Sequence, residues 1–167
     1  NICVPDRSGQ LRDICLGYDT LAGYENDTAS FGAVVGRHAN RIEKGEFTLN
    51  GVTYHLAVNN GPNHLHGGLR GFHYYNWNAQ IIGNSVRFSR VSPDGEEGYP
   101  GRLTMNVTYC WSEDNELTIS YEAATDQDTV FNTTNHAYFN LDGEDADTVL
   151  NHTLMINADQ FTETDEN

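Results

Sequence analysis

The feature that most constrains the fold of this chain is a repeated alternation of apolar and polar residues with a period of two. The longest alternation has five apolar members, Leu103, Met105, Val107, Tyr109 and Trp111. Successive side chains of a strand point to opposite faces, so this pattern predicts a strand with one buried face. No helical stripe of ten or more residues is evident. The alternation therefore predicts an all-β fold.

Turn residues between the alternating runs predict that neighbouring strands pair as antiparallel hairpins. Asn50-Gly51 separates a run at Phe47 and Leu49 from a run over residues 52–58, and both positions of a type I′ turn need positive φ. Turns are also predicted at Gly83-Asn84, before the run at 86–88, and at Asp114-Asn115, between the runs at 103–111 and 117–121. These hairpins predict an antiparallel β-sandwich.

Four further segments complete the prediction. Leu154 and Ile156 predict one more strand, and Asp19–Tyr24 predicts a single helical turn. Asn59–Tyr75 is a long loop rich in Gly and His, and a loop of this length is usually functional or disordered. Aromatic residues within it argue against disorder. Ser92–Arg102 is a second irregular stretch, dense in turn residues.

Composition excludes several classes of partner. Nine basic and 24 acidic residues give a net charge of −15, which disfavours binding to nucleic acid or to an anionic membrane. No run approaches the roughly 18 apolar residues of a membrane helix. Cys3, Cys15 and Cys110 lack CxxC spacing, so free thiols and a reducing, cytoplasmic location are expected. The chain begins without Met, which leaves a removed leader open.

Three clusters of residues could carry chemistry. They are Gly36–Ile42 (GRHANRI), Asn63–Gly68 (NHLHGG) and Thr133–Leu141 (TTNHAYFNL). Arginine offers a planar set of donors that suits hydroxyl or carboxylate oxygens. Taken alone, however, Arg37 and Arg41 near a strand end are more typical of surface ion pairs.

The histidines of the other two clusters each have two interpretations. His64 and His66 could ligate a metal from one strand face, but no further Cys, His or Asp pattern completes a metal site, and an ordinary loop is the alternative. His136 is flanked by Asn and aromatic residues and could act as a general acid or base, because the pKa of a histidine side chain lies near neutrality. A hydrogen-bonded structural histidine is the alternative.

Other chemistries find little support in the sequence. There is no Walker-A loop or GxGxxG run for phosphates, and no GxSxG motif for a serine nucleophile. Glu96-Glu97 could be imagined as a pair of glycosidase carboxylates, but a turn-rich stretch favours a solvated edge.

Taken in order, five stretches of the chain resemble the aldose 1-epimerase (galactose mutarotase) family. They are VPDRSGQLRDICLGYDTLAGY, FGAVVGRHANRIEKGEFTLNG, PNHLHGGLRGFHYYNW, VSPDGEEGYPGRLTMNVTY and TNHAYFNLDG. The resemblance implies a galactose-mutarotase-like β-supersandwich and an isomerase of carbohydrate metabolism that interconverts the anomers of free galactose and glucose without metal or cofactor. Residues 1–167 would then be the N-terminal part of one such domain, with the C-terminal part absent from this chain.

The resemblance also implies a role for each site residue. His136 matches the general acid, and His66 matches a second histidine that contacts the sugar near the reacting centre. Asn40 and Arg41 match the pair that holds sugar hydroxyls. Tyr138 would share a strand face with His136, if the segment is extended, and line the sugar groove.

The resemblance leaves one catalytic group unaccounted for. The general base of the family is a glutamate in its C-terminal half, and no glutamate here lies in a matching context. A fragment, one part of a split enzyme with a second chain, and a truncated homologue are the explanations open at this point. A non-catalytic sugar-binding homologue is the alternative function. A hexose-phosphate epimerase would need additional basic residues, which the acidic composition disfavours.

Overall fold

A computed structural model describes residues 1–163, and these form an antiparallel all-β structure with one short helix. The last four residues of the predicted domain lie outside the described part. The strands are β1 (Cys3–Pro5), β2 (Leu11–Asp13), β3 (Val34–Val35), β4 (Arg41–Ile42), β5 (Glu46–Leu49), β6 (Val52–His55), β7 (His64–Leu65), β8 (Asn78–Ile82), β9 (Ser85–Ser92), β10 (Leu103–Trp111), β11 (Leu117–Thr125) and β12 (Thr134–Asn135). Short 3₁₀ turns lie at Glu43–Gly45, Phe72–Tyr74 and Glu96–Gly98.

The residue contacts divide the chain into two compact units. One unit contains Asn1–Val35 and the segment that begins at Thr134, and the other contains Gly36–Thr133. The first unit holds the strand pairs β1–β2 and β3–β12. The second holds the pairs β4–β7 and β5–β6 and a four-stranded sheet in the order β11-β10-β9-β8. All of these pairings are antiparallel, which confirms that prediction.

The central strand β10 carries the core of the four-stranded sheet. Leu103, Met105 and Val107 are buried, at 1%, 0% and 0% exposure, and the residues between them are only partly covered. In the sheet, Val107 lies opposite Phe88 of β9 and Tyr121 of β11. The period-two pattern therefore identified the strand and the buried face of its first half, whereas Tyr109 is partly covered and Trp111 is 43% exposed.

The predicted hairpins are confirmed. β5 and β6 pair with Leu49 opposite Val52, and the two turn residues have the positive φ values expected, 52° at Asn50 and 78° at Gly51. Gly83-Asn84 joins β8 to β9, and the turn containing Asp114-Asn115 joins β10 to β11. Positive φ at both Asn50 and Gly51 is the geometry that lets a two-residue loop follow the twist of the strands.

The predicted helical turn at Asp19–Tyr24 is also confirmed, one to two residues further along the chain. Helix α1 spans Leu21–Glu25, and the hydroxyl of Thr20 caps it by accepting from the Gly23 N–H. No helix among residues 1–163 is long and apolar enough to cross a membrane.

The predicted strand at Leu154 and Ile156 is wrong. Both residues have no regular secondary structure, and they are 81% and 69% exposed. The alternating pattern there is real, but no neighbouring segment among the described residues pairs with it. A strand needs a hydrogen-bonding partner to be stable in water, and local pattern alone does not supply one.

The structure corrects the expectation that Arg37 forms a surface ion pair. Arg37 is 2% exposed, and its Nη1 donates to the carbonyls of Pro100 (2.8 Å) and Gly101 (2.9 Å). Its Nη2 donates to the hydroxyl of Ser92 at 2.6 Å. Burial lowers the pKa of Arg37 from its ordinary value. Arg37 therefore stabilises the Ser92–Arg102 stretch from the interior of the unit Gly36–Thr133.

The expectation that Glu96-Glu97 is a solvated edge is also wrong. Arg90 makes a two-pronged ion pair with the Glu96 carboxylate, at 2.8 and 3.0 Å, and both side chains are at most a tenth exposed. The guanidinium of Arg90 lies 4.1 Å from the centroid of the Tyr75 ring. Phe72, whose ring centroid lies 4.7 Å from the same guanidinium, and Tyr75 thus help to cover a buried charge pair, which accounts for these two aromatic residues in a polar loop.

Candidate functional site

The pairing of β4 with β7 brings Asn40, Arg41 and His66 together. Arg41 lies opposite Leu65 in this antiparallel pair. Asn40 precedes Arg41 and His66 follows Leu65, so the two are the next facing residues of the pair. The Asn40 N–H donates to Nδ1 of the His66 ring at 3.0 Å, and the His66 N–H donates to the Asn40 carbonyl at 3.1 Å. The backbone of Asn40 therefore holds both the main chain and the ring of His66.

Asn40 and His66 both have left-handed backbone conformations, with φ of 63° and 52°. Residues other than Gly adopt this region uncommonly, although Asn and His do so more readily than most. Here the two residues hold each other through the reciprocal hydrogen bonds. Turn residues such as Asn50 and Asn115 share this conformation, so the reciprocal hydrogen bonds are what distinguish the pair.

The contact with Asn40 also determines which nitrogen of His66 carries a proton. Nδ1 accepts a hydrogen bond from a backbone N–H, so it holds no proton of its own. In the neutral ring the proton is therefore on Nε2, which makes Nε2 a hydrogen-bond donor. Such a donor suits a hydroxyl or ring oxygen.

Arg41 is exposed and is oriented by two amide oxygens. Its Nε donates to Oδ1 of Asn60 at 3.0 Å, and its Nη1 donates to Oδ1 of Asn40 at 3.2 Å. Amide oxygens are neutral, so they orient the guanidinium without cancelling its charge.

His64, the other histidine of the NHLHGG stretch, is fully buried and has a structural environment. Its Nδ1 lies 2.7 Å from the Ala57 carbonyl, and its Nε2 lies 2.7 Å from the Tyr99 hydroxyl. A carbonyl only accepts, so Nδ1 donates to Ala57 and Nε2 accepts from Tyr99. Burial lowers the pKa of His64 and raises the pKa of Tyr99.

These contacts bear on the metal interpretation of the His64–His66 pair. Both nitrogens of His64 already have partners, so a metal held by both rings would have to displace them. Within residues 1–163, no group of three or more His, Cys, Asp or Glu side chains is arranged to hold a metal ion.

The carboxylate of Glu97, which the sequence predicted to lie at a solvated edge, fixes the segment that follows His66. Glu97 accepts from the backbone N–H groups of Leu69 (2.9 Å) and Arg70 (3.0 Å). Two successive N–H groups that converge on one carboxylate make a strong, charge-assisted contact. Glu97 therefore restrains the far end of the loop that presents His66.

His136 and Tyr138 lie in the other unit, where their rings contact each other. The His136 N–H donates to Ala33 at 2.8 Å, and its carbonyl accepts from Gly32 at 3.2 Å. The ring centroids of His136 and Tyr138 are 5.0 Å apart, and Tyr138 in turn contacts Phe31 edge to face at 5.2 Å. The two rings thus contact each other although the segment leaves β12 after Asn135.

The five residues predicted for the site fall into two local groups. Asn40, Arg41 and His66 are neighbours in one unit, and His136 and Tyr138 are neighbours in the other. Sequence reasoning missed the residues that hold the first group in place, which are Asn59, Asn60 and Glu97. The signal that could have identified two of them is the cluster of Asn residues in NNGPN, since Asn side chains commonly bond to nearby backbone.

Comparison with known proteins gives a consistent result. The family model of the aldose 1-epimerases matches residues 1–167. The galactose mutarotase of Bos taurus is 52% identical over 163 residues, which cover 98% of this chain and 47% of the relative. The aldose 1-epimerase of Escherichia coli (strain K12) is 41% identical over 166 residues, with coverage of 98% and 47%. The chain thus spans about half the length of the curated relatives it matches.

Solved structures confirm the predicted fold class. An aldose epimerase homologue from C. elegans matches with a TM-score of 0.81 and 40% identity, covering 84% of this chain and 44% of that one. A galactose 1-epimerase from Lactobacillus acidophilus matches with a TM-score of 0.70 and 31% identity, covering 80% and 41%. From its sequence and its fold alike, the chain belongs to the aldose 1-epimerase family.

Proposed function

We propose that this chain supplies the sugar-holding residues and the general acid of an aldose 1-epimerase, which interconverts the α and β anomers of free hexoses such as galactose and glucose. The observation that carries the proposal is the group formed by Asn40, Arg41 and His66. An imidazole with its N–H on Nε2, an amide and an oriented guanidinium are suited to the hydroxyl oxygens of a sugar.

The proposed reaction needs one acid and one base. A base removes the proton from the anomeric hydroxyl O1 while His136 donates a proton to the ring oxygen O5, and the C1–O5 bond breaks to give the open-chain aldehyde. Rotation about C1–C2 exposes the other face of the carbonyl. O5 then attacks that face, returns its proton to His136, and O1 regains a proton from the base. Atoms and electrons balance without an oxidant or a covalent enzyme intermediate.

The other residues would hold the sugar for this exchange. Arg41 and Asn40 would bind ring hydroxyls, which fixes the ring oxygen relative to the acid. His66 would donate from Nε2 to an oxygen near the reacting centre. Tyr138, whose ring contacts His136, would form part of the wall of the sugar groove.

The proposal places the general base, a glutamate, in polypeptide that corresponds to the unmatched half of the relatives. That polypeptide would be a continuation of this chain or a second chain that carries the C-terminal half. It would complete the site as well as the fold. A cytoplasmic location is part of the proposal and is supported by the three free cysteines, Cys3, Cys15 and Cys110.

Polarimetry on freshly dissolved α-galactose and α-glucose tests the proposal. The chain is measured alone and after combination with the C-terminal half of the Bos taurus galactose mutarotase. We expect no acceleration of mutarotation by the chain alone and acceleration by the combination. In the combination, His136→Ala should reduce the rate by about 10²-fold or more, because positioned acids contribute about that much.

His55→Gln provides the matched control, because His55 is an exposed histidine that pairs with Glu46 outside the candidate site. It should leave the rate unchanged. Acceleration by the chain alone would mean that a base lies within these residues. Sugar binding without acceleration in either preparation would support a sugar-binding homologue instead. A combined preparation in which His136→Ala keeps the full rate would refute the assignment of the acid.

A further inference from the structure

We infer that two adjacent side chains, Asn59 and Asn60, are the positioning residues of the sugar site, with Asn60 orienting Arg41 and Asn59 holding the loop that carries His66. The inference rests on the proposed function, because it assigns to each asparagine one of the two sugar-contacting groups. It adds residues that act through Arg41 and His66 and that do not themselves touch the sugar.

The two asparagines belong to a turn, residues 59–63, that is closed by main-chain hydrogen bonds. The Asn60 N–H donates to the Asn63 carbonyl at 3.0 Å, and the Asn63 N–H donates to the Asn60 carbonyl at 2.9 Å. The Asn59 N–H also donates to the Asn63 carbonyl, at 3.1 Å. Because main-chain bonds close the turn, the side chains of Asn59 and Asn60 are not needed to form it and can act on other segments.

Asn60 acts on Arg41. Its Oδ1 accepts from Arg41 Nε at 3.0 Å, 19 positions along the chain. Arg41 is exposed, and a long exposed side chain samples many rotamers unless a specific contact restrains it. The contact uses Nε and a neutral oxygen, so the charge of the guanidinium stays available to oxygens of a ligand. A carboxylate at the same place would compete for that charge.

Asn59 acts on the loop of His66 through three hydrogen bonds. Its Oδ1 accepts from the Leu65 N–H at 2.7 Å, and its Nδ2 donates to the carbonyls of Leu65 and Gly68, both at 3.0 Å. These contacts lie on both sides of His66. One side chain therefore fixes the segment from which the His66 ring projects, while Asn40 fixes the ring itself.

Kinetic constants of three single variants test the inference in the form of the protein that accelerates mutarotation. Asn60→Ala frees Arg41 and should raise KM by about fivefold with kcat within about twofold, since one hydrogen bond to a charged group is lost from substrate binding. Asn59→Ala releases the His66 loop and should lower kcat by about tenfold, because small displacements of a catalytic group reduce rate steeply.

Asn63→Ala is the matched control. It removes a side-chain contact of the same turn, from Oδ1 of Asn63 to the Lys44 N–H at 3.1 Å, and touches neither Arg41 nor the His66 loop. Both constants should stay at their wild-type values. If all three variants change KM and kcat alike, the asparagines only stabilise the turn and the inference is wrong. If Asn59→Ala does not fold, Asn59→Asp replaces it, because it keeps the Leu65 N–H contact and loses the two donated bonds.

A second readout separates this inference from the proposed function. The ¹⁵N–¹H signal of Arg41 Nε should be protected from solvent exchange in the wild type and in Asn60→Asp, which keeps the acceptor oxygen, and it should lose protection in Asn60→Ala. An Arg41 signal that is the same in all three proteins would overturn the inference even if the wild type is active. A protected signal in a protein that does not accelerate mutarotation would refute the function and leave the positioning intact.

Discussion

Single residues in this chain show how far the local sequence determines a side chain's environment. Arg37 and Arg41 belong to the same GRHANRI run, yet Arg37 is buried among carbonyls and Arg41 is exposed. The hydrogen-bond partners of the Arg37 guanidinium lie 55 to 92 positions along the chain, so no local pattern could reveal them. The same limitation applies to His64 and His66, which are two positions apart, because His64 is fully buried and His66 is only partly covered.

His64 predicts a pH dependence of stability. Burial lowers its pKa below the usual 6.5, outweighing the Ala57 hydrogen bond and the Glu97 charge, which act to raise it. The unfolded chain therefore takes up a proton near pH 6.5, whereas the folded protein does so only at lower pH. The contribution of His64 to the free energy of unfolding is present above pH 6.5. It is lost as pH falls below 6.5, at up to about 1.4 kcal/mol per pH unit for one group.

Urea unfolding between pH 7.5 and 5 measures this effect. The free energy of unfolding should fall with pH in the wild type and fall less steeply in His64→Gln. Part of the slope should remain, because burial lowers the pKa of His38 as well. An unchanged slope in His64→Gln would contradict the assignment.

Secondary-structure elements were predictable from the sequence where their stability is local. The β5–β6 hairpin and the β9, β10 and β11 strands follow from period-two patterns and turn residues, and each pairs with its neighbour in sequence. The β4–β7 pair, which assembles part of the candidate site, consists of two-residue strands, and the β5–β6 hairpin lies between them in the sequence. Such short strands carry no detectable periodicity, so the proximity of Asn40 and His66 was expected only from the family resemblance.

The position of a strand in the four-stranded sheet predicts the cost of truncating its side chains. Met105 on the central strand β10 is 0% exposed, whereas Ile81 on the edge strand β8 is 80% exposed. Met105→Ala should lower the free energy of unfolding by about 2–5 kcal/mol, because it leaves a cavity. Ile81→Ala should change it by no more than about 0.5 kcal/mol. Equal effects in denaturant titrations would mean that the sheet is not packed on the face that contains Met105.

At the scale of the whole molecule, exposed apolar side chains are concentrated in the segment Val149–Phe161. Leu150, Leu154, Met155 and Phe161 are each more than 80% exposed, which is unusual for side chains of this size and number in one stretch. The net charge of −15 opposes association between copies, while this segment favours it. The extent to which copies of the chain associate in solution should therefore depend on the balance between charge repulsion and apolar attraction.

Polar substitution of the segment tests this balance. A triple variant, Leu154→Gln, Met155→Gln and Phe161→Ser, should bind less of a hydrophobic dye and scatter less light, with the free energy of unfolding within about 0.5 kcal/mol of wild type. Leu11→Gln, which changes one exposed leucine elsewhere, serves as the control and should alter neither signal. A loss of more than about 2 kcal/mol in the triple variant would show that these side chains are packed in solution.

The left-handed backbone at Asn40 restricts which amino acids can occupy that position. Gly, Asn and Asp adopt this conformation most readily, and β-branched residues strongly resist it. Asn40 meets a second requirement, because its side-chain oxygen accepts from Arg41, and glycine has no such atom. The backbone conformation and the contact with Arg41 therefore restrict this position to asparagine or aspartate, independently of any contact with a ligand.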